Sequence, residues 1–326
     1  MTHAILVTGG AGYVGSHTCL ELAKEGYLPI TIDNLSTGFA HNVKWGPLVE
    51  GDVHDNKLIV KIIKLYNIQA VIHFAGSAYV GESVKVPRKY YENNTVGTLS
   101  LLNSLLETGL TNIVFSSTCS VYGLADDCPI TEETPLNPIN PYGESKINTE
   151  NFLIENKHRF NSIILRYFNV AGADPDLRSG LISDEPTHLI KILSEVAVGK
   201  REKIFIYGND YNTDDGTAIR DYIHVCDLAD IHLEVAKYLL DKKHSNIFNC
   251  GYGKGYSVLE VINAANKITN NKIKFEYTKR RPGDAEKLVS NIDKLNKNIN
   301  WQPKFDNLDF IIQTSINWEK KYEKDL

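Results

Sequence analysis

A glycine-rich turn constrains this chain more than any other feature. Thr8-Gly9-Gly10-Ala11-Gly12-Tyr13-Val14-Gly15 lies between an apolar run, Ala4-Ile5-Leu6-Val7, and a helical stretch. It satisfies GxGxxG over residues 10–15 and GxxGxxG over residues 9–15. Glycines let the backbone turn tightly and approach a pyrophosphate, whose charge then meets free amides at a helix N-terminus. The motif gains force from its strand–turn–helix setting and from Asp33, which ends the next β-branched run 18 residues after Gly15. A carboxylate there accepts hydrogen bonds from ribose hydroxyls and repels a 2′-phosphate. The following Asn34-Leu35-Ser36-Thr37-Gly38 supplies no Lys or Arg to neutralise such a phosphate. The expected cofactor is NAD, not NADP, held by Gly9, Gly12, Tyr13, Val14, Gly15 and Asp33, with Asn34, Ser36, Thr37 and Gly38 alongside.

Further along, Leu28-Asp33, Ala70-Phe74, Ile113-Ser117 and Ser162-Tyr167 read as strands, with helical stretches such as Asp55-Tyr66 and Pro87-Glu107 between them. This alternation predicts an α/β fold, a doubly wound parallel (Rossmann) sheet with a smaller C-terminal α/β substrate domain. After Asn169 the pattern loosens into turn-rich loops, with helices around His188-Val198, Val225-Leu240 and Val258-Lys267 and brief strands at Lys203-Ile206 and Ile273-Tyr277. The expected division is a cofactor domain over 1–168 and a substrate domain over 169–326, with some chain crossing back.

Composition narrows the function classes. Hydrophobic residues make up 42% of the 326, enough for a large core and too many for a disordered, collagenous or coiled-coil chain. Acidic residues outnumber basic ones by 40 to 35, the wrong sign for tracking nucleic-acid phosphates. The 5 cysteines form no CxxC pair, which argues against zinc and disulfides and for a reducing compartment. His224-Val225-Cys226-Asp227 offers ligand types without a second cluster, so no metal is expected. Neither a signal peptide nor a membrane-length apolar run is apparent, and the expected location is the cytoplasm.

Two further strand ends face the predicted cleft. Asp52, in Gly51-Asp52-Val53, could reach the adenine, and Phe74-Ala75-Gly76 could pass beneath the cofactor with little bulk. The chemistry centres on Tyr142-Gly143-Glu144-Ser145-Lys146, a YxxxK sequence at a helix start, where four-residue spacing puts phenol and ammonium on one face. At about 4 Å and an effective dielectric near 20 their attraction is roughly 4 kcal/mol. That is about three pKa units, enough to draw a tyrosine from near 10 towards 7. A second YxxxK, Tyr238 to Lys242, ends an amphipathic helix and reads as structural. What distinguishes Tyr142 is Ser116-Ser117-Thr118 at the preceding strand end, where the Thr118 hydroxyl can share the reacting oxygen.

The glycine turn, Ser116-Ser117-Thr118, Val121-Tyr122-Gly123, Asn140-Pro141-Tyr142-Gly143-Glu144-Ser145-Lys146 and Leu165-Arg166-Tyr167-Phe168-Asn169 together resemble the extended short-chain dehydrogenase/reductase family. Ile219-Arg220-Asp221-Tyr222-Ile223-His224-Val225 and Arg281-Pro282-Gly283-Asp284 are similar to motifs of its UDP-hexose 4-epimerases. The resemblance implies that Tyr142 removes the sugar O4 proton while retained NAD takes and returns the C4 hydride, through a 4-keto intermediate. Lys146 would also hold the nicotinamide ribose, and Thr118 would assist. By the same resemblance Asn93, Tyr122 and Phe168 lie near the cofactor, with Val53 beside Asp52. Asn169, Leu189, Phe205, Ile206, Tyr207, Arg220, Arg281 and Asp284 would contact the UDP-sugar, the arginines suiting a pyrophosphate as guanidinium forks.

Some positions depart from the family pattern. Ala78 replaces a common cofactor-contacting lysine, and His188 takes a substrate position that is often asparagine. Leu288 stands where members restricted to plain hexoses tend to carry tyrosine, which keeps UDP-GlcNAc/UDP-GalNAc interconversion open as an alternative or added activity. A UDP-sugar dehydratase would need an acid beside Thr118, where the chain has Cys119-Ser120. A non-catalytic NAD-sensing protein would have no use for Tyr142, Lys146 and Thr118 together. The resemblance further implies a homodimer built on Pro87-Glu107 and Tyr142-Asn156.

Overall fold

The computed structural model describes residues 3–125, 128–281 and 283–325. Its first half runs β1 (Ala4–Thr8), α1 (Tyr13–Lys24), β2 (Leu28–Asp33), β3 (Leu48–Glu50), α2 (Asn56–Tyr66), β4 (Ile68–His73), α3 (Val80–Lys85), α4 (Pro87–Tyr90), α5 (Gly97–Thr108), β5 (Asn112–Thr118), α6 (Pro141–Glu155) and β6 (Asn161–Tyr167). The second half runs β7 (Asn169–Ala171), α7 (Leu189–Val198), β8 (Ile204–Tyr207), β9 (Ile219–His224), α8 (Val225–Lys242), β10 (Asn246–Cys250), β11 (Gly255–Ser257), α9 (Val258–Thr269), β12 (Phe275–Thr278), β13 (Lys287–Leu288), α10 (Asp293–Asn298) and α11 (Leu308–Asp325).

Seven strands form one parallel sheet in the order β10-β6-β5-β4-β1-β2-β3. The chain steps outward from β1 to β3, then crosses back to β4 and proceeds the other way. The carboxyl ends of β1 and β4 therefore border a topological switch point, where doubly wound sheets bind ligands. Ile5, Leu6, Val7, Val71, Ile72, Ile113, Val114 and Phe115 are wholly buried, as strands covered on both faces require. Helices α2 and α5 pack together over one face, and α1 and α8 pair over the other.

Two strands of the main sheet escape the sequence pattern, as do β7, β9, β11 and β13 in the second half. Leu48–Glu50 is too short to register as a run, and Asn246-Ile247-Phe248-Asn249-Cys250 carries two asparagines that blur its apolar signal. Asn249 is tolerated because its side chain accepts from Tyr122 Oη at 2.7 Å and donates to the Ile130 carbonyl at 2.9 Å. β10 returns from the second half to complete the main sheet beside β6. The helical stretch expected from Pro87 is realised as α4 and α5 joined through a π-helical turn, Tyr91–Val96.

The rest of the second half carries two small sheets, β9 flanked by β7, β11 and β13, and the parallel pair β8–β12. Its apolar residues, among them Ile190, Leu193, Ile204 and Ile223, belong to the same core cluster as one face of the main sheet. Among the described residues no helix is long and apolar enough to cross a membrane, and no group of three or more His, Cys, Asp or Glu could hold a metal ion.

Candidate active site

The glycine turn is built too tightly for any other residue. Gly9 has φ +69°, and a Cβ on it would lie 2.7 Å from the Ala75 nitrogen; a Cβ on Gly15 would lie 2.3 Å from the Gly9 carbonyl oxygen. Gly12 is the N-cap of α1 and offers no side-chain cap, so the first amides of the helix, at Tyr13 and Val14, are left to a ligand. Tyr13 itself donates its hydroxyl to the Gly172 carbonyl at 2.6 Å, and the Val14 side chain packs on the core. Their contribution to an anion is therefore main-chain.

Asp33 closes β2 against the turn. Its carboxylate accepts from the Ala11 amide at 3.0 Å and the Leu35 amide at 2.9 Å. Burial pushes its pKa up, with those two amides opposing. A Cβ on Gly38 would sit 2.9 Å from the Asp33 carboxylate, so the chain after Ser36 and Thr37 folds back over it. Asn34 accepts from Ser36 N and Oγ, at 3.0 and 2.7 Å, and donates to Asp52 at 2.8 Å. Burial tends to raise the Asp52 carboxyl, but hydrogen bonds from the His54 amide and ring and from Asn34 outweigh it and hold the group below its usual range. Val53 beside it turns into the core.

Across the cleft, Phe74-Ala75-Gly76 leaves β4 beside the turn, and Asn93 donates to Ser77 Oγ at 3.1 Å. Asn140 caps α6 by accepting from the Gly143 amide at 2.9 Å, and Pro141 occupies the first helical position; this fixes where Tyr142 and Lys146 point. Tyr142 is partly open to solvent yet so closely surrounded that desolvation governs it, which marks a group on the wall of a cleft. The Thr118 hydroxyl acts on its phenol and opposes that desolvation. Thr118 also accepts from Ser120 N at 3.1 Å, holding the turn after β5.

The electrostatics correct one expectation. The phenol is not drawn towards 7; burial pushes it up to about 12, with the Thr118 hydroxyl pulling the other way. Lys146 instead donates to the Ser116 carbonyl at 2.8 Å, with its ammonium 5.0 Å from the Phe115 ring centroid. Burial pushes Lys146 down to about 8, opposed by Glu150. The spacing argument counted the attraction between the two groups and left out their burial, and desolvation of both overrides it.

On the sugar side, Phe205 and Tyr207 alternate outwards from β8, 48% and 41% exposed, while Ile206 between them is buried. Ile206 can thus meet a ligand only through its main chain. The Arg281 guanidinium lies 4.5 Å from the Tyr207 ring centroid and pairs with Asp284 at 2.8 Å; Pro282 of that motif lies outside the described residues. The positive charges of Arg220 and Arg281 both lower the Tyr222 hydroxyl, which burial nonetheless pushes up to about 12, and Arg220 donates to the Ile219 carbonyl at 2.8 Å. Asn169 sits opposite Tyr222, and Leu288 opposite Arg220, in the β9 register. Leu288 packs on a cluster of Cys119, Val121, Tyr122, Ile130 and Phe168, which joins the sugar side to the Thr118 turn. His188 precedes α7 at Leu189; it is exposed, yet desolvation lowers its pKa, and its ring lies 6.4 Å from that of Tyr79.

Sequence reasoning missed the buried pair that braces this arrangement. Arg166, on β6, meets Glu150 of α6 at 2.6 Å, and both are nearly inaccessible, at 2% and 0%. Ser117 also donates to Glu150, and Arg166 reaches the Tyr122 hydroxyl at 3.0 Å. Tyr122 is therefore committed to this network. The signal was present: an arginine inside the β-branched run Ser162-Tyr167 needs a partner.

Comparison with known proteins points the same way. Residues 5–251 match the NAD dependent epimerase/dehydratase family. A UDP-glucose 4-epimerase of Azospirillum brasilense is 45% identical over 323 residues, 98% of this chain and 93% of that protein. The solved UDP-glucose-4-epimerase of Stenotrophomonas maltophila, with bound NAD and formylated UDP-arabinopyranose, superposes with TM-score 0.97 at 32% identity, covering 99% of this chain and 100% of that one. The UDP-Glc/GlcNAc 4-epimerase of Campylobacter jejuni gives TM-score 0.85 at 42% identity, covering 98% and 99%.

Proposed function

The chain belongs to the NAD dependent epimerase/dehydratase family, and we propose that it interconverts UDP-galactose and UDP-glucose at sugar C4 with NAD retained between turnovers. The observation that carries this reading is the meeting of Tyr142, Thr118 and Lys146 at the carboxyl ends of the parallel strands, beside the glycine turn. The cradle fits NAD. Its turn admits no Cβ at Gly9 or Gly15, the start of α1 is uncapped, and Asp33 presents a carboxylate to the adenosine side.

When bound, NAD supplies a reversible hydride acceptor for C4. Tyr142 takes the 4-hydroxyl proton and returns it to the oxygen of the other epimer, and Thr118 holds that oxygen in reach. Because the phenol is pushed up when uncharged surroundings enclose it, nearby positive charge is what prepares it as a base. Arg220 and Arg281 hold the diphosphate, and Tyr207 offers a ring face to the base. On this reading residues 1–168 hold the cofactor and 169–326 the UDP-sugar, with α8 and β10 returning to the cofactor side.

The test is chromatography of nucleotide sugars after dialysed protein is incubated with UDP-galactose and no added NAD. UDP-glucose is the expected product; no conversion, even with NAD supplied, would overturn the reading. Leu288 favours a second substrate class. Its side chain stands beside Arg220 without the ring and hydroxyl of a tyrosine, and UDP-GalNAc in the same assay is expected to yield UDP-GlcNAc. We further propose that the protein lies in the cytoplasm, which suits its unpaired cysteines, and forms a homodimer through the outer faces of Pro87-Glu107 and Tyr142-Asn156, where Val96 and Ile154 are exposed.

A further inference from the structure

A line of buried polar side chains runs from the glycine turn to the reactive helix. At its centre is His73, at the carboxyl end of β4 and 0% exposed, with Nδ1 2.6 Å from Thr8 Oγ1 and Nε2 2.7 Å from Thr98 Oγ1. The flanking bonds fix which atom donates. Thr98 gives its hydroxyl proton to the Asn94 carbonyl at 2.6 Å, so it accepts from His73, which carries its proton on Nε2. Nδ1 is then the acceptor and Thr8 the donor, leaving the Thr8 oxygen to accept from the Ala75 amide at 3.3 Å.

Asn94 extends the line. Its carbonyl lies in the π-helical turn and also accepts from Thr149 Oγ1 at 3.3 Å. Its side chain accepts from Ser77 N at 2.7 Å, and donates to Ser77 O at 2.9 Å and Ser145 Oγ at 2.9 Å. Ser145 precedes Lys146. Thr8, Asn94, Thr98 and Ser145 are each at most 1% exposed. A buried polar line with every member paired admits one arrangement, and a break strands the remaining groups.

We propose that His73 is a positioning residue that locks the glycine turn, the Ala75–Ser77 segment and the Asn94–Ser145 junction into one rigid cradle, and so keeps NAD bound between turnovers. The inference rests on NAD being the cofactor. Burial, and after it the charge of Lys146, hold the ring uncharged, down to about 3, so the donor order persists through the working pH range.

The test compares His73→Asn, Thr98→Val and Thr98→Ser with wild type and with Ile262→Ala, a core truncation on α9 in the other half of the molecule. Asparagine keeps an acceptor for Thr8 and gives up Thr98; valine keeps the shape of Thr98 without its hydroxyl. Four quantities are read: NAD released on denaturation after dialysis, NAD affinity of the stripped protein, kcat at saturating NAD, and thermal midpoint. His73→Asn and Thr98→Val are expected to weaken NAD binding about tenfold each, with kcat at saturating NAD within about threefold of wild type. Thr98→Ser restores retention, and Ile262→Ala keeps NAD despite its lower midpoint. Retention equal to wild type in both variants would overturn the proposal. So would a loss no greater than that of Ile262→Ala at matched loss of midpoint. Wild type is read first: if it neither carries nor binds NAD, the cofactor assignment fails and this inference with it.

Discussion

The chain carries YxxxK twice, and the two copies share nothing but spacing. Tyr142 and Lys146 open α6, whereas Tyr238 and Lys242 close α8. At a helix start the macrodipole favours an anion, so a phenolate at Tyr142 is supported, while the last turn favours a cation and leaves Lys242 content as an ammonium. Lys146 is 4% exposed and donates to the Ser116 carbonyl; the Lys242 side chain is 62% exposed and pairs with Asp241 at 2.8 Å. The Thr118 hydroxyl acts on the Tyr142 phenol, while Tyr238 packs its ring on the core. A spacing motif thus becomes a site only where a strand end, a helix start and a ligand cleft meet.

The sharpest way to break the contrast is Tyr142→Phe. It removes the proton carrier and keeps the ring, so kcat is expected to fall about 10³-fold with NAD retained. UDP-galactose turnover and bound NAD are the readouts, and near-wild-type turnover would dissolve the distinction between the two motifs.

Lys146→Met comes next, with turnover expected to fall about 10²-fold and a stability effect of opposite sign. The folded pKa of Lys146 is lowered from 10.5 to about 8 by burial, an order-of-magnitude cost of roughly 3 kcal/mol for holding the charge. Because the folded value lies below the unfolded one, the unfolded chain binds more protons between those pH values, and wild-type stability rises with pH across that window. At pH 7 the cost is present in full. Lys146→Met is therefore expected to raise the thermal midpoint at pH 7, less the loss of the Ser116 partner, and its advantage over wild type should shrink as pH rises from about 8 to 10.5. A difference that does not change with pH would mean that Lys146 is not held against its charge.

Thr118→Val tests the third member. Loss of one hydroxyl is expected to lower kcat/KM about tenfold, and Thr118→Ser to recover most of it. Steady-state kinetics on all three forms decides whether the hydroxyl or the side-chain shape matters.

What the sequence disclosed follows from which forces are local. The glycine turn, Asp33 and the Asn140-Pro141 helix start are dictated within a few residues, and all three stand where the pattern put them. The parallel strands were legible because burial on both faces leaves near-continuous apolar runs. The partnership of Arg166 with Glu150, the return of β10 to the sheet and the His73 line were not, since each joins residues distant in sequence whose separate signals are ordinary. The pKa of Tyr142 failed for the same reason. A four-residue spacing reports a neighbour but not the desolvation supplied by the folded surroundings, and here desolvation is the largest cause of the shift.

The smallest effect is the most demanding control. Tyr238→Phe and Lys242→Met preserve helix propensity and the packed ring, and neither touches the cleft. Lys242 gives up an ion pair with Asp241 in which both side chains are well exposed, the kind that solvent already screens. If YxxxK spacing itself conferred chemistry, the double variant would lose turnover. If context confers it, kcat/KM stays within about twofold of wild type, bound NAD is unchanged, and the pH profile of turnover is superimposable. A shift in that profile would mean that Lys242 acts on the site over a distance, and the contrast between the two motifs would then be one of degree.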